Sequence, residues 1–259
     1  MRLHHRLDGP SGAPLVVLVN SLGTTLALWQ RQLPALTARF RVLRYDQRGH
    51  GGSSVSPGPY TVELLAGDLR QLLDRLGIER ASLCGLSLGG AVAMLLAAQQ
   101  PERVERLVLS CTSARFAAPE QWRRRAELAR TAGMGAVAEV AIPRWFTPRF
   151  AAEHPALAAG FRRMLLATPA EGYAASCEAI ADFDFRAELH RIGSPTLVLA
   201  GSEDRVATAS DAELLSSRIS DARLAVLEGA SHLANVERPD AFDAALLEHL
   251  GAASGSERA

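Results

Sequence analysis

Short apolar runs recur along the chain with amphipathic stretches between them, and this alternation restricts the fold more than any other feature. Leu15 to Val19, Arg41 to Tyr45, Ala81 to Gly85, Val104 to Ser110, Pro195 to Ala200 and Ala222 to Leu227 read as strands. Several are apolar at successive rather than alternate positions, as strands buried on both faces require. The clearest helix between them places Val62, Leu65, Leu69, Leu72, Leu73 and Leu76 at steps of three and four, with Thr61 as N-cap and Gly77 as the stop. Strand, helix, strand in repetition predicts an α/β fold, a mostly parallel central sheet with helices on both faces. The ligand site of such a sheet lies beyond the carboxyl ends of its strands.

The alternation stops between Ser113 and Phe185, where alanine, arginine and leucine dominate. This stretch reads as an inserted helical cap, residues 113–185, in a core formed by residues 1–112 and 186–259. Pro119, Pro143, Pro148, Pro155 and Pro169 are expected to divide it into short helices. The strand pattern resumes after Ser194-Pro195. The segment with His4 and His5 is expected to be mobile, and the small, polar tail Gly251 to Ala259 to fray.

Composition removes several chemistries. The 28 basic residues balance 28 acidic ones, and every basic residue is arginine. Without lysine there is no Schiff base to a carbonyl substrate, no P-loop and no kinase ion pair. The longest basic block, Arg123-Arg124-Arg125, reads as the solvated side of a helix, so no nucleic-acid partner is expected. Three cysteines, Cys84, Cys111 and Cys177, lack C-x-x-C spacing and fit neither a disulfide framework nor a zinc site, which points to a reducing cytoplasm. Pro10 and Gly12 precede any apolar run, so no signal-peptide core is read at the N-terminus. No window is long enough to span a membrane.

Gly85-Leu86-Ser87-Leu88-Gly89 is a G-x-S-x-G pattern that follows a strand and opens an alanine-rich helix. Glycines two residues either side of Ser87 permit the tight turn that exposes its hydroxyl at a helix N-terminus. A serine nucleophile needs a base and a group to orient that base. His232 follows the last strand and precedes a helix starting at Pro239, on the sheet edge where Ser87 lies. His154, His190 and His249 lie in the cap, at its exit and in the last helix. The strand ending at Ala200 runs into Gly201-Ser202-Glu203-Asp204, and Asp204 is preferred to Glu203 as the acid. Ser87, Asp204, His232 is the chain order of α/β-hydrolases. The backbone N–H of Leu88, and that of Leu22 in the loop after the first apolar run, are the candidate oxyanion donors.

The chain resembles the α/β-hydrolases in Tyr45-Asp46-Gln47-Arg48-Gly49-His50-Gly51-Gly52-Ser53 and in the Ser87, Asp204 and His232 segments. Within that superfamily it is similar to the 3-oxoadipate enol-lactonases. That likeness is carried by Asn20-Ser21-Leu22-Gly23, where many members have His-Gly, by Cys84 to Gly90, and by Arg144-Trp145-Phe146-Thr147-Pro148. It continues in Met164 to Thr168 with Gly172-Tyr173, and in His232-Leu233-Ala234-Asn235-Val236-Glu237. The resemblance implies opening of a small carboxylate-bearing enol-lactone through an acyl-serine, with no metal or organic cofactor. The substrate's carboxylate calls for a cation, and Arg144 is the candidate, with Trp145 as an apolar wall beneath the ring. Arg48 and His50 read as a network that fixes their loop. A small-ester carboxylesterase or cofactor-free perhydrolase of the same fold remains an alternative, as does a hydrolase-fold ligand receptor. Oligomeric state is left open.

Overall fold

Seven strands build one sheet in a computed structural model that describes residues 1–251: β1 (His5–Asp8), β2 (Leu15–Val19), β3 (Arg41–Tyr45), β4 (Ala81–Leu86), β5 (Val104–Ser110), β6 (Thr196–Gly201) and β7 (Ala222–Leu227). Their order is β1-β3-β2-β4-β5-β6-β7. All neighbours are parallel except β1, which runs antiparallel to β3 with His5 opposite Tyr45. Every residue of β4 and β6 is buried, so helices and loops cover both faces there.

The six strands expected from apolar runs are present, and β1 is an addition. His5-Arg6-Leu7-Asp8 has no apolar run because an edge strand with one partner buries little. The expected mobility of His4 and His5 is therefore incorrect. His5 is paired in the sheet, and His4 Nδ1 lies 2.9 Å from Asp46 Oδ2.

The helices follow in chain order as α1 (Leu33–Thr37), α2 (Val62–Arg75), α3 (Leu88–Gln99), α4 (Pro119–Trp145), α5 (Pro148–Glu153), α6 (Pro155–Leu166), α7 (Ala170–Asp182), α8 (Ala209–Arg218), α9 (Ala234–Glu237) and α10 (Pro239–Gly251). The ends of α2 are set by the residues expected to set them. The Thr61 hydroxyl accepts from Leu64 N–H at 3.1 Å. At the other end Gly77 takes φ +65°, while its N–H donates to Asp74 O and that of Ile78 to Leu73 O. Past Gly251, the tail expected to fray lies outside the described residues.

Four helices, α4 to α7, stand between β5 and β6. Pro119, Pro148 and Pro155 each open a helix, where a missing N–H has no acceptor to lose, and Pro169 precedes α7. Pro143 departs from the expected pattern, since α4 runs through it. The break in α4 falls instead at Gly133, whose φ of +76° only glycine adopts readily.

The strand order fixes where a ligand can sit. The chain leaves β2 toward β3 on one side and β4 toward β5 on the other, so a crevice opens between the carboxyl ends of β2 and β4. Asn20 to Thr24 follow β2, and Ser87 follows β4.

The α7 helix closes one flank of this crevice by backbone contact. A Cβ added at Gly172 would lie 2.2 Å from Gly49 O, and one added at Gly49 would lie 2.5 Å from Gly172 Cα. Gly172→Ala is expected to lower stability by about 2 kcal/mol, because a rigid backbone must move to admit the methyl group. Gly67→Ala, on the open side of α2, has nothing within 4 Å of its new Cβ and is expected to gain up to about 1 kcal/mol from helix propensity. Thermal unfolding of the two variants measures both. A Gly172→Ala protein as stable as the wild type would show that the two backbones separate freely.

Candidate active site

Ser87 stands between β4 and α3 with φ +57° and ψ −118°, a conformation an L-residue adopts only under constraint. The constraint is close backbone packing. A Cβ at Gly85 would lie 2.2 Å from Gly89 O, and a Cβ at Gly89 would lie 2.2 Å from Val19 O. The glycines of the motif thus let β2, β4 and the first turn of α3 meet. Hydrogen bonds hold the turn on both sides, from Ser87 N–H to Ser110 O at 2.9 Å and from the Thr112 hydroxyl to Ser87 O at 2.7 Å.

Asp204 and His232 arrive from the loops after β6 and β7. His232 Nδ1 lies 2.9 Å from Asp204 Oδ2, with side-chain exposures of 3% and 0%. The other carboxylate oxygen, Oδ1, accepts from Val206 N–H at 2.7 Å and Ala207 N–H at 3.2 Å. These two amides fix the carboxylate plane, and sequence reasoning missed them because backbone donors leave no residue signature. With Nδ1 engaged by Asp204, Nε2 is the ring nitrogen left for chemistry. His232 and Ser87 line one pocket, as the chain order of the motifs predicts.

Two backbone amides are available beside Ser87. Leu88 is the first residue of α3, so its N–H has no acceptor within the helix. In the loop after β2, Gly23 N–H donates to His50 Nε2 at 3.0 Å and Thr24 N–H to Ser21 O at 3.2 Å, while among the described residues Leu22 N–H carries no hydrogen bond. Asn20 anchors this loop, donating to Tyr45 O at 2.7 Å and accepting from the Trp29 indole at 2.9 Å.

His50 and Arg48 fix loops, as expected. Nδ1 of His50 faces Arg48 O at 3.1 Å while Nε2 accepts from Gly23, an arrangement that suits the neutral ring, and burial pushes its pKa down. The Arg48 guanidinium grips both oxygens of Asp68, at 2.5 and 2.6 Å, over the Tyr60 ring.

The pocket at Ser87 is walled by the α4–α7 segment. Arg144 and Trp145, both predicted, line it together with Leu22 and His232. Trp145 is 5% exposed. Arg125 lines it too, and this corrects the assignment of Arg123-Arg124-Arg125 to a solvated face. Arg123 and Arg124 are exposed, but Arg125 is half-buried, with its guanidinium 4.6 Å from the centre of the Trp122 ring. Helical spacing carried the signal, because Arg125 shares a stripe with Trp122, Ala126 and Ala129, all buried.

Among the described residues neither Arg125 nor Arg144 has a carboxylate partner. Burial, and then the charge of Arg125, hold the Arg144 guanidinium below its ordinary pKa. An anion beside the two would favour the charged guanidinium and so oppose this shift. An outer cavity continues from this point past Arg125 and Arg144 toward Glu139 and Arg205.

A strained serine after β4, a histidine after β7 paired to an aspartate after β6, and residues 14–239 matching the family model described as alpha/beta hydrolase fold define the class: the chain belongs to the α/β-hydrolase family. It is 41% identical to 3-oxoadipate enol-lactonase 2 of Acinetobacter baylyi over 244 residues, covering 94% of this chain and 91% of that one. Among solved structures it is similar to the enol-lactonase of Burkholderia xenovorans LB400, with 46% identity, a TM-score of 0.95 and 96% of each chain covered. A thermophilic esterase from Thermogutta terrifontis, in a malate-bound structure, is 33% identical with a TM-score of 0.90, over 96% of this chain and 93% of that one. Among the described residues no helix is long and apolar enough to cross a membrane.

Proposed function

We propose that the protein hydrolyses 3-oxoadipate enol-lactone to 3-oxoadipate through an acyl-serine on Ser87. The observation that carries the substrate assignment beyond the fold is the pair of half-buried arginines, Arg125 and Arg144, facing the pocket of Ser87 without a counter-ion. The likeness to two enol-lactonases over nearly the whole chain supports it. Residues 113–185 act as the cap over a core of residues 1–112 and 186–259, and Trp145 is the apolar wall against the lactone ring. The three buried free thiols suit a reducing cytoplasm.

In the reaction, His232 Nε2 takes the Ser87 proton as the oxygen attacks the lactone carbonyl, and Asp204 holds the imidazole and stabilises its charge. The N–H groups of Leu88 and Leu22 receive the oxyanion. Collapse breaks the bond to the ring oxygen, which takes the proton from His232 and becomes an enol, still tethered to the acyl group, that tautomerises to the ketone. Water, losing a proton to His232, then attacks the acyl carbonyl; collapse breaks the bond to the Ser87 oxygen, which takes that proton back from His232, and 3-oxoadipate departs.

The test follows loss of enol-lactone absorbance with the purified protein, beside hydrolysis of a neutral ester. Efficient ester hydrolysis with no lactone turnover would transfer the assignment to the carboxylesterase reading, which the 33% identity to an esterase favours. Arg125→Ala and Arg144→Ala are each expected to raise KM for the charged lactone by about 10- to 100-fold, the value of a hydrogen bond to an ion, while leaving the neutral ester within about twofold. Equal losses on both substrates would remove the carboxylate role.

A further inference from the structure

Glu237, the last residue of α9, is 4% exposed and has no cation beside its carboxylate among the described residues. Its two oxygens face in different directions. Oε1 accepts from Thr147 N–H and from the Thr147 hydroxyl, both at 2.8 Å, and Oε2 accepts from Ser231 N–H. Two further bonds run parallel to this bridge. The Ser231 hydroxyl donates to Arg144 O at 3.2 Å, and Leu233 N–H donates to Trp145 O at 3.0 Å.

Arg144 and Trp145 of the pocket wall, with Thr147 just after them, are thus tied to residues 231 and 233, which flank His232 on both sides. A buried carboxylate without a cation is costly unless donors converge on it, and here three do. We infer that Glu237 is a positioning residue: it straps the His232 loop to the Arg144–Trp145 wall, so that the base and the substrate-facing wall hold one fixed relation. The strap rests on the acyl-serine reading, and it deepens that reading by making the alignment of His232 depend on the segment that meets the substrate.

The experiment measures the second-order rate at which a fluorophosphonate labels Ser87, together with the proton resonance of His232 Nδ1–H in its bond to Asp204. Neither depends on which lactone or ester is the substrate. In Glu237→Gln the amide oxygen still serves the two Thr147 donors, but the Nε2 group meets Ser231 N–H donor to donor, so the histidine arm of the strap opens. Labelling is expected to slow roughly tenfold and the Nδ1 proton resonance to shift or broaden, well below the melting temperature. Thr147→Ala weakens the other arm and is expected to slow labelling about threefold, with the double variant no slower than Glu237→Gln alone, as for groups acting as one unit.

Folded Glu237→Gln protein that labels within twofold of wild type with an unmoved resonance would overturn the strap, leaving Glu237 a stabilising residue only. Losses that multiply in the double variant overturn it equally. If Glu237→Gln does not fold, Thr147→Ala decides alone, and an unchanged rate overturns the proposal. A wild-type Ser87 that does not label at all counts against the acyl-serine reading and not against the hydrogen bonds of the strap.

Discussion

Ser87→Ala is expected to lower kcat by about six orders of magnitude, as removal of an activated serine does when base and oxyanion donors act as a unit with it. The protein should meanwhile keep its fold. The φ of +57° is imposed by Gly85, Gly89 and the bonds to Ser110 and Thr112, none of which involves the hydroxyl. Alanine keeps the Cβ and therefore the strain, but removes a buried polar atom whose purpose is chemistry. The melting temperature is expected to stay within a few degrees of the wild type. Rates from enol-lactone absorbance and a thermal melt on the same preparation measure both quantities. Retention of more than about one per cent of the activity would place the nucleophile elsewhere or give the reaction to a directly activated water.

Asp204→Asn is expected to lower kcat by about four orders of magnitude with little change in KM. The size of the loss follows from the two amides behind the carboxylate. Val206 N–H and Ala207 N–H both donate to Oδ1, so an asparagine at this position must keep its carbonyl oxygen toward them. Its NH2 group then faces His232 Nδ1, which lies 2.9 Å from Oδ2 in the native protein. A donor there can be received only by an unprotonated Nδ1, which moves the ring proton to Nε2. That nitrogen can then no longer accept from Ser87. Steady-state kinetics test this, and ring nitrogen resonances report the tautomer. A loss below tenfold, or a ring still protonated at Nδ1, would falsify the assignment of Asp204.

What the chain reveals in advance follows the range over which each signal acts. The strands, the caps of α2 and the turn at Ser87 are written in runs of a few residues, because burial on both faces, an N-cap and a left-handed stop are local demands. Asp204 and His232 were legible because a parallel sheet delivers the loops after its strands to one edge, so that chain order stands in for distance. The strand β1 was not, since an edge strand needs no apolar run. Arg125 was hidden by its neighbours: three arginines in a row suggest a wet face, and only the helical stripe from Trp122 to Ala129 separates the third from the other two. The break in α4 at Gly133 instead of Pro143 reflects competition between two weak points, and the left-handed glycine was the one used. The partner of Glu237 had no signal, because Thr147 lies on a different element and nothing in either segment names the other.

The contact between Gly49 and Gly172 also divides the site by how much change it can absorb. At that seam any side chain would enter a backbone, so the flank formed by α7 is closed to substitution at those positions. Around Gly133 and Gly135 a new Cβ meets nothing within 4 Å, although the left-handed backbone at Gly133 still favours glycine. The wall carrying Trp122, Arg125 and Arg144 belongs to the same helix as these two open positions. A descendant of this chain that came to accept a different acid would therefore be expected to carry its new residues along α4, with the α7 seam inherited unaltered.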